Sequence, residues 1–321
     1  MSRRKYGATL RRAAWALPAL RIRSPEGNIE GRRGSGQIGV LASDARCATW
    51  YAAPNCGPSA RIARGLPVPI AITRAVSRAI IHCELTHLDR APIDLAEARR
   101  QHDAYEDALR SLGFDVQRLP EEPELADSVF VEDAAVVLPE VAVISRPGAA
   151  SRQGETTAVA QALEPLRTLV RIQPPGTLDG GDVLVLNREI VVGRTPRSNA
   201  DGISQLRSLL SPFGYTVRDV PVTGCLHLKT AVTRVAERVL LVNPEWIDYR
   251  AHFPNWIVVE VDPSEPFAAN ALWAQGRVIH SSSFSRTAER LARVGVRVVP
   301  VPADELGKAE GGVTCCSLLL E

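Results

Sequence analysis

The chain of 321 residues is 45% hydrophobic with a formal net charge of +2, values of a folded globular protein with enough chain for one large α/β domain or two small ones. Basic residues are dispersed beyond the N-terminus and no apolar run is long enough to cross a bilayer, which excludes a basic-stripe nucleic-acid binder and a helical membrane span. Six cysteines without zinc-ribbon spacing exclude a disulfide scaffold and point to a reducing, cytoplasmic setting.

Residues 1–66 stand apart. Met1 to Arg23 holds seven basic residues ahead of the first acid, Glu26, and the rest is rich in Gly, Pro, Ala and Arg without sustained periodicity. The apolar run from Ala13 to Leu20 is short and contains Pro18, so a disordered or misassigned extension is expected rather than a targeting peptide. Cys47 and Cys56 lie inside it and take no role.

From Pro67 onward one folded domain is expected, built from a recurring unit. An extended run at Pro69-Ile-Ala-Ile72 precedes the strongest helix, Asp94 to Leu112, with Asp94 as its N-cap and Gly113 past its end. Asp133 to Ile144 reads as strand, tight turn, strand, because two β-rich runs flank Pro139-Glu140. A helix over 154–166 and a strand over 169–172 follow. The hairpin returns over 182–192, with a helix over 201–210 and a strand over 215–220. It returns again over 231–242 and over 270–280, the last followed by a helix over 286–294 and a strand over 296–301.

Four hairpins at intervals of about 40 to 50 residues define a β-β-α-β repeat, a period found in repeat and propeller arrays. The C-terminal strand and the run near Pro69 supply a fifth hairpin, which closes the array into a ring. Hairpin starts then converge on one axis, and Asp133, Asp182, His227 and Cys315 all sit at or near such starts.

The last residues, Gly311-Gly-Val-Thr-Cys-Cys-Ser-Leu-Leu-Leu-Glu321, place two adjacent cysteines on an expected strand. Strand alternation groups Cys316 with Leu318 and Leu320 on a core face and Cys315 with Ser317 on the other, so Cys315 is the better nucleophile candidate. Both cysteines could instead be small buried hydrophobes. Gly224-Cys-Leu-His-Leu-Lys229 adds an imidazole and Asp179-Gly-Gly-Asp182 adds carboxylates, completing the set that covalent cysteine catalysis requires. Taken singly, the Asp-Gly-Gly-Asp run is a turn, His227 a core histidine, Glu132-Asp133 a solvated pair, and Arg152 and Arg197 surface arginines. Cys225 is expected to pack rather than react.

In its ordered motifs the chain resembles the dimethylarginine dimethylaminohydrolases of the guanidino-group-modifying (pentein) superfamily. The motifs are Ile72-Thr-Arg-Ala-Val76, Ser128-Val-Phe-Val-Glu-Asp133, Ser145-Arg-Pro-Gly-Ala149, Leu178-Asp-Gly-Gly-Asp-Val-Leu184, Val192-Gly-Arg-Thr195, Leu226-His-Leu-Lys229 and Thr314-Cys-Cys-Ser317. The resemblance covers the chain from about Pro67 to its end and implies a single-domain, five-bladed α/β propeller. It implies Cys315 as nucleophile, His227 as general acid and base, and Asp179 as the carboxylate orienting the histidine. Asp127, Glu132 and Asp133 take acidic substrate-binding positions, and Arg152 and Arg197 positions that hold the amino-acid carboxylate. Leu88, with Leu85 nearby, falls where the family has a lid leucine, and Ala309 where a backbone carbonyl meets substrate.

The implied reaction is hydrolysis of asymmetric dimethylarginine and monomethylarginine to citrulline plus the methylated amine, through an S-alkylthiouronium intermediate. It needs no metal or organic cofactor; zinc is expected only as an inhibitor captured by Cys315 and His227. The partner is then a small-molecule substrate, with no nucleic acid and no membrane, for a monomer or homodimer. Lys229 separates this from the first alternative, an arginine deiminase, which typically carries aspartate there to clamp an unsubstituted guanidinium. A non-catalytic arginine-binding module is the second alternative.

Overall fold

The computed structural model describes residues 68–321, so the expected N-terminal extension, with Cys47 and Cys56, lies outside the described residues. The first strand, β1 (Ile70–Arg74), pairs in parallel with β2 (Asp115–Leu119) across helix α1 (Leu95–Ser111). Four further units follow in order. They are β3 (Ala135–Val137), β4 (Val141–Ile144), α2 (Thr156–Leu163) and β5 (Thr168–Arg171); then β6 (Val183–Leu186), β7 (Glu189–Arg194), α3 (Ala200–Leu210) and β8 (Thr216–Pro221). A one-turn helix α4 (Leu228–Ala231) leads into β9 (Val232–Ala236), β10 (Val239–Val242), the short α5 (Tyr249–His252) and β11 (Ile257–Glu260). The last full unit is β12 (Ala271–Ala274), β13 (Arg277–Ser281), α6 (Ser285–Arg293) and β14 (Val298–Val301). After the one-turn α7 (Asp304–Gly307), β15 (Leu318–Leu320) returns to pair antiparallel with β1, Ile70 opposite Leu320.

Each unit is thus an antiparallel hairpin followed by a helix and a parallel return strand, and the fifth is assembled from the two ends of the described chain. The expected hairpins are all present. Asp94 caps α1 as expected, accepting the amides of Ala96 and Glu97. In the third hairpin's unit, where no helix was legible, the connection is only the four-residue α5. At the β12–β13 turn, Gln275 and Gly276 take φ values of +47° and +71°, the left-handed pair that a tight two-residue hairpin needs.

The middle strands are buried on both faces, which is why β4, β7, β10 and β13 read as nearly continuous apolar runs, whereas the outer strands β2, β5 and β8 are partly exposed and carry polar residues. Along β7, Ile190 and Val192 pack toward the β3–β5 sheet while Val191 packs toward the β9–β11 sheet. Leu241 and Val278 join the fourth sheet to the fifth, Ile279 and Ala71 the fifth to the first, and Leu318 and Ile144 the first to the second. Five apolar clusters between five sheets close the ring by packing. Each fully buried Val, Leu or Ile contributes about 1.5–3 kcal/mol. The innermost strands β3, β6, β9, β12 and β15 all line one central cavity of about 310 Å3. The molecule is a five-bladed α/β propeller, and among the described residues no helix is long and apolar enough to cross a membrane.

Candidate active site

The turns that feed the innermost strands meet at one end of the axis. A small pocket there is lined by Asp127, Asp133, Arg152, Arg197, His227, Ala309 and Cys315, together with Glu84, Phe130, Leu226, Glu310 and Gly311. Seven of the ten residues singled out in the sequence therefore share one pocket, although they are spread in the chain from Asp127 to Cys315. Its free volume is about 10 Å3, room for roughly one water molecule.

Asp179, behind this pocket, is fully buried and its Oδ2 lies 3.1 Å from His227 Nε2. Its other oxygen accepts the Gly148 amide at 2.8 Å, which fixes the carboxylate. Asp133 Oδ1 stands 3.9 Å from His227 Nδ1 and accepts the Gly181 amide at 2.8 Å. Two glycines make this approach possible. A Cβ at Gly181 would lie 2.6 Å from His227 Nδ1, and one at Gly180 would lie 1.9 Å from the Glu132 carbonyl. Burial by itself disfavours a charged imidazole, but Asp133, Asp182 and Asp179 outweigh it and raise His227 to about 9. Desolvation works against the Asp133 anion as well, yet His227 and Arg152 hold its carboxyl well below the usual carboxylate range.

Cys315 is buried and its thiol is pushed up to about 12, first by desolvation and then by the nearby Glu132 and Asp133 carboxylates. Its Sγ faces the Gly312 amide at 3.3 Å and Asn270 Nδ2 at 3.9 Å. The strand expected here starts two residues later than Cys316: residues 313–316 form a turn, and β15 begins at Leu318. Alternation along a strand therefore does not separate the two thiols. The turn does, because Cys315 borders the pocket while Cys316 directs its thiol to the Gly312 carbonyl.

Glu132 and Leu88 lie outside this pocket, and Arg152 lines it with its guanidinium already engaged. Glu132 borders the central cavity rather than the pocket; its carboxylate receives Lys229 Nζ at 2.5 Å and the Thr314 hydroxyl at 2.9 Å. An ion pair across the axis engages its carboxylate. Arg152 spends its donors on Glu155, Asp133 and the carbonyls of Asp127 and Phe130, which leaves it bracing the pocket wall. Leu88 lines a neighbouring cavity of about 250 Å3, and its amide, with those of Thr86 and His87, is held by the Glu310 carboxylate. Arg197, by contrast, is buried with Nη1 lacking any hydrogen-bond partner, 3.7 Å from Asp179.

Sequence reasoning placed Asp182 at the shared axis without a role of its own and gave Asn270 none. Asp182 is buried, accepts the hydroxyls of Thr195 and Ser198 and the Leu228 amide, and desolvation raises it to about 6. Its place beside Asp179 in the Asp-Gly-Gly-Asp run was the available signal. Cys225 donates its thiol to the His227 carbonyl and packs in the apolar cluster, as expected. His280 and His102 are buried among partners outside the pocket. Asp133, Asp179 and His227 offer ligand atoms within 4.8 Å of one another, a cluster that does not include Cys315.

Comparison with known proteins places this geometry. A family model described as "N,N dimethylarginine dimethylhydrolase, eukaryotic" matches residues 87–259. The N(G),N(G)-dimethylarginine dimethylaminohydrolase of Streptomyces coelicolor is 40% identical over 79% of this chain and 98% of its own length. That of Pseudomonas aeruginosa is 34% identical over 77% of this chain and 97% of its own. A crystal structure of the Pseudomonas aeruginosa enzyme, a Cys-to-Ser mutant complexed with citrulline, superposes with a TM-score of 0.76 at 33% identity, covering 79% of this chain and 99% of that one. Fold and relatives agree, and the chain belongs to the dimethylarginine dimethylaminohydrolase family.

Proposed function

We propose that the protein is a cysteine-dependent hydrolase converting asymmetric dimethylarginine and monomethylarginine to citrulline plus dimethylamine or methylamine. The observation that carries this reading is the joint burial of a thiol, an imidazole and two carboxylates around one pocket, with Lys229 two residues beyond His227 paired to Glu132. With lysine rather than aspartate at 229, no second carboxylate stands there to clamp an unsubstituted guanidinium, and that favours a substituted one. The names of the relatives and the citrulline in the related structure support the same substrate class.

A guanidinium carbon is a poor electrophile, so orientation and charge must do the work. In this reading Asp133 takes the planar cation through charge-assisted hydrogen bonds, and Arg197, with its open Nη1, takes the amino-acid carboxylate. Asp127 and the Ala309 carbonyl line the remainder of the pocket. The bound cation offsets the carboxylates that raise Cys315, and the thiolate becomes accessible. The thiolate forms a bond to the guanidinium carbon; the carbon–nitrogen bond to the amine breaks as His227 gives that nitrogen its proton. Water then attacks the S-alkylthiouronium carbon, neutral His227 takes the water proton, and the carbon–sulfur bond breaks to release citrulline. With Nε2 engaged by Asp179, Nδ1 is the nitrogen left for these transfers.

Every step is carried by side chains, with zinc entering only as an inhibitor at Cys315 and His227. The pocket as it stands holds about one water, so its lining must shift to admit substrate. The unbridged Cys83, Cys225, Cys315 and Cys316 suit the reducing cytoplasm. Purified protein should release citrulline from dimethylarginine and little from arginine. Turnover of arginine alone would defeat the proposal in favour of a deiminase.

A further inference from the structure

Each blade delivers a residue to the axis just ahead of its innermost strand: Asp133 before β3, Asp182 before β6, Lys229 before β9. The fifth sheet follows the same rule with Asn270, immediately before β12 and buried. Its amide orientation is fixed by its partners. The Thr314 backbone N–H can only donate, and it lies 3.0 Å from Oδ1, so Oδ1 is the acceptor and Nδ2 the donor. One Nδ2 hydrogen goes to Thr314 Oγ1 at 3.0 Å, whose own proton goes to Glu132 Oε2 at 2.9 Å. The second hydrogen is left for Cys315 Sγ at 3.9 Å. Gly312 has no side chain because this amide occupies the space: a Cβ there would lie 2.4 Å from Asn270 Cγ.

We infer that Asn270 is a catalytic residue, the side chain that orients the Cys315 turn and donates a hydrogen bond to the thiolate during attack. This rests on Cys315 being the nucleophile. Of the charged groups near the sulfur, Glu132 and Asp133 on the turn before β3 raise the thiol and oppose its ionisation, and Lys229 is spent on Glu132. Among the described residues, the donors to sulfur are the Gly312 amide and Asn270, with the Thr314 hydroxyl committed to Glu132. A single amide thus links the ion pair across the axis to the reacting atom.

The test compares wild type with Asn270→Ala and Asn270→Asp by the rate of iodoacetamide alkylation at Cys315, read by peptide mass spectrometry at pH 9, beside kcat and KM for dimethylarginine. Asp is isosteric and keeps the bond from the Thr314 amide, but it sets an anion where Nδ2 donated. A purely structural asparagine predicts that Asp is tolerated better than Ala; a thiolate donor predicts the reverse. Alkylation should fall about tenfold in Asn270→Ala, the loss of one hydrogen bond to a charged group, and further in Asn270→Asp. The fall in kcat should follow the same order with KM little changed. Alkylation of Asn270→Asp within twofold of wild type, or faster than Asn270→Ala, overturns the inference. Because alkylation requires no guanidino substrate, a wild type that alkylates normally but releases no citrulline would count against the proposed function instead. Asn270→Asp remains informative if the Ala variant folds poorly.

Discussion

His227 is held between two carboxylates on opposite edges of its ring, Asp179 3.1 Å from Nε2 and Asp133 3.9 Å from Nδ1. An imidazole flanked in this way stays protonated through neutral pH, and the thiol nearby stays neutral until a cation arrives. In the proposed mechanism this resting state pairs a protonated acid with a thiol that is mostly neutral at pH 7, and the bound cation supplies the charge that favours the thiolate.

Replacing Asp179 with Asn removes one of those carboxylates and the acceptor that fixes the ring. The expected outcome is a fall in kcat of about 10²–10⁴ with a smaller change in KM, read by steady-state citrulline release. The His227 titration followed by NMR should move down in the same variant.

Turnover in the wild type should decline as pH rises through about 9, because the proton His227 gives to the leaving amine is lost there. Stability carries the same signature. The folded value lies above the ordinary value of 6.5, so this group's contribution is fully present below pH 6.5 and is lost as pH rises through about 9. The Tm gap between wild type and His227→Asn should shrink over that window in thermal scans.

Cys315→Ser should keep the fold and bind dimethylarginine while releasing no citrulline. Acid quench of the wild type during turnover should trap a thiouronium adduct on Cys315 by mass spectrometry, and the serine variant should show none.

Lys229 and Glu132 form a nearly buried pair, so Lys229→Met leaves an uncompensated carboxylate at the axis. A loss of about 3–5 kcal/mol in denaturant unfolding is expected, and Glu132→Gln added to it should restore most of that loss. Coupling of this size in the double-mutant cycle distinguishes the pair from two independent surface charges.

Gly181→Ala forces a methyl carbon against both His227 and Asp133. A cost of about 1–3 kcal/mol in stability is expected, with a fall in kcat larger than that loss of stability alone would produce. Thermal unfolding and kinetics on the same preparation separate the two effects.

The amino-acid sequence by itself determined the repeat, because a strand buried on both faces has to be written in apolar residues, and the turns between strands need Gly, Asn or Pro at fixed places. It also marked Cys315 and His227, whose residue types are scarce in this chain, and Asp179 through its Asp-Gly-Gly-Asp turn. Only the tertiary structure decided what Glu132, Arg152 and Leu88 touch, since each could face the pocket or a neighbour and the choice lies with residues distant in the chain: Lys229 for Glu132, Asp133 for Arg152, Glu310 for Leu88. Asn270 was illegible for the same reason. An asparagine before a hairpin reads as a turn residue until closure of the ring brings Thr314 and Cys315, more than forty positions away, against its amide.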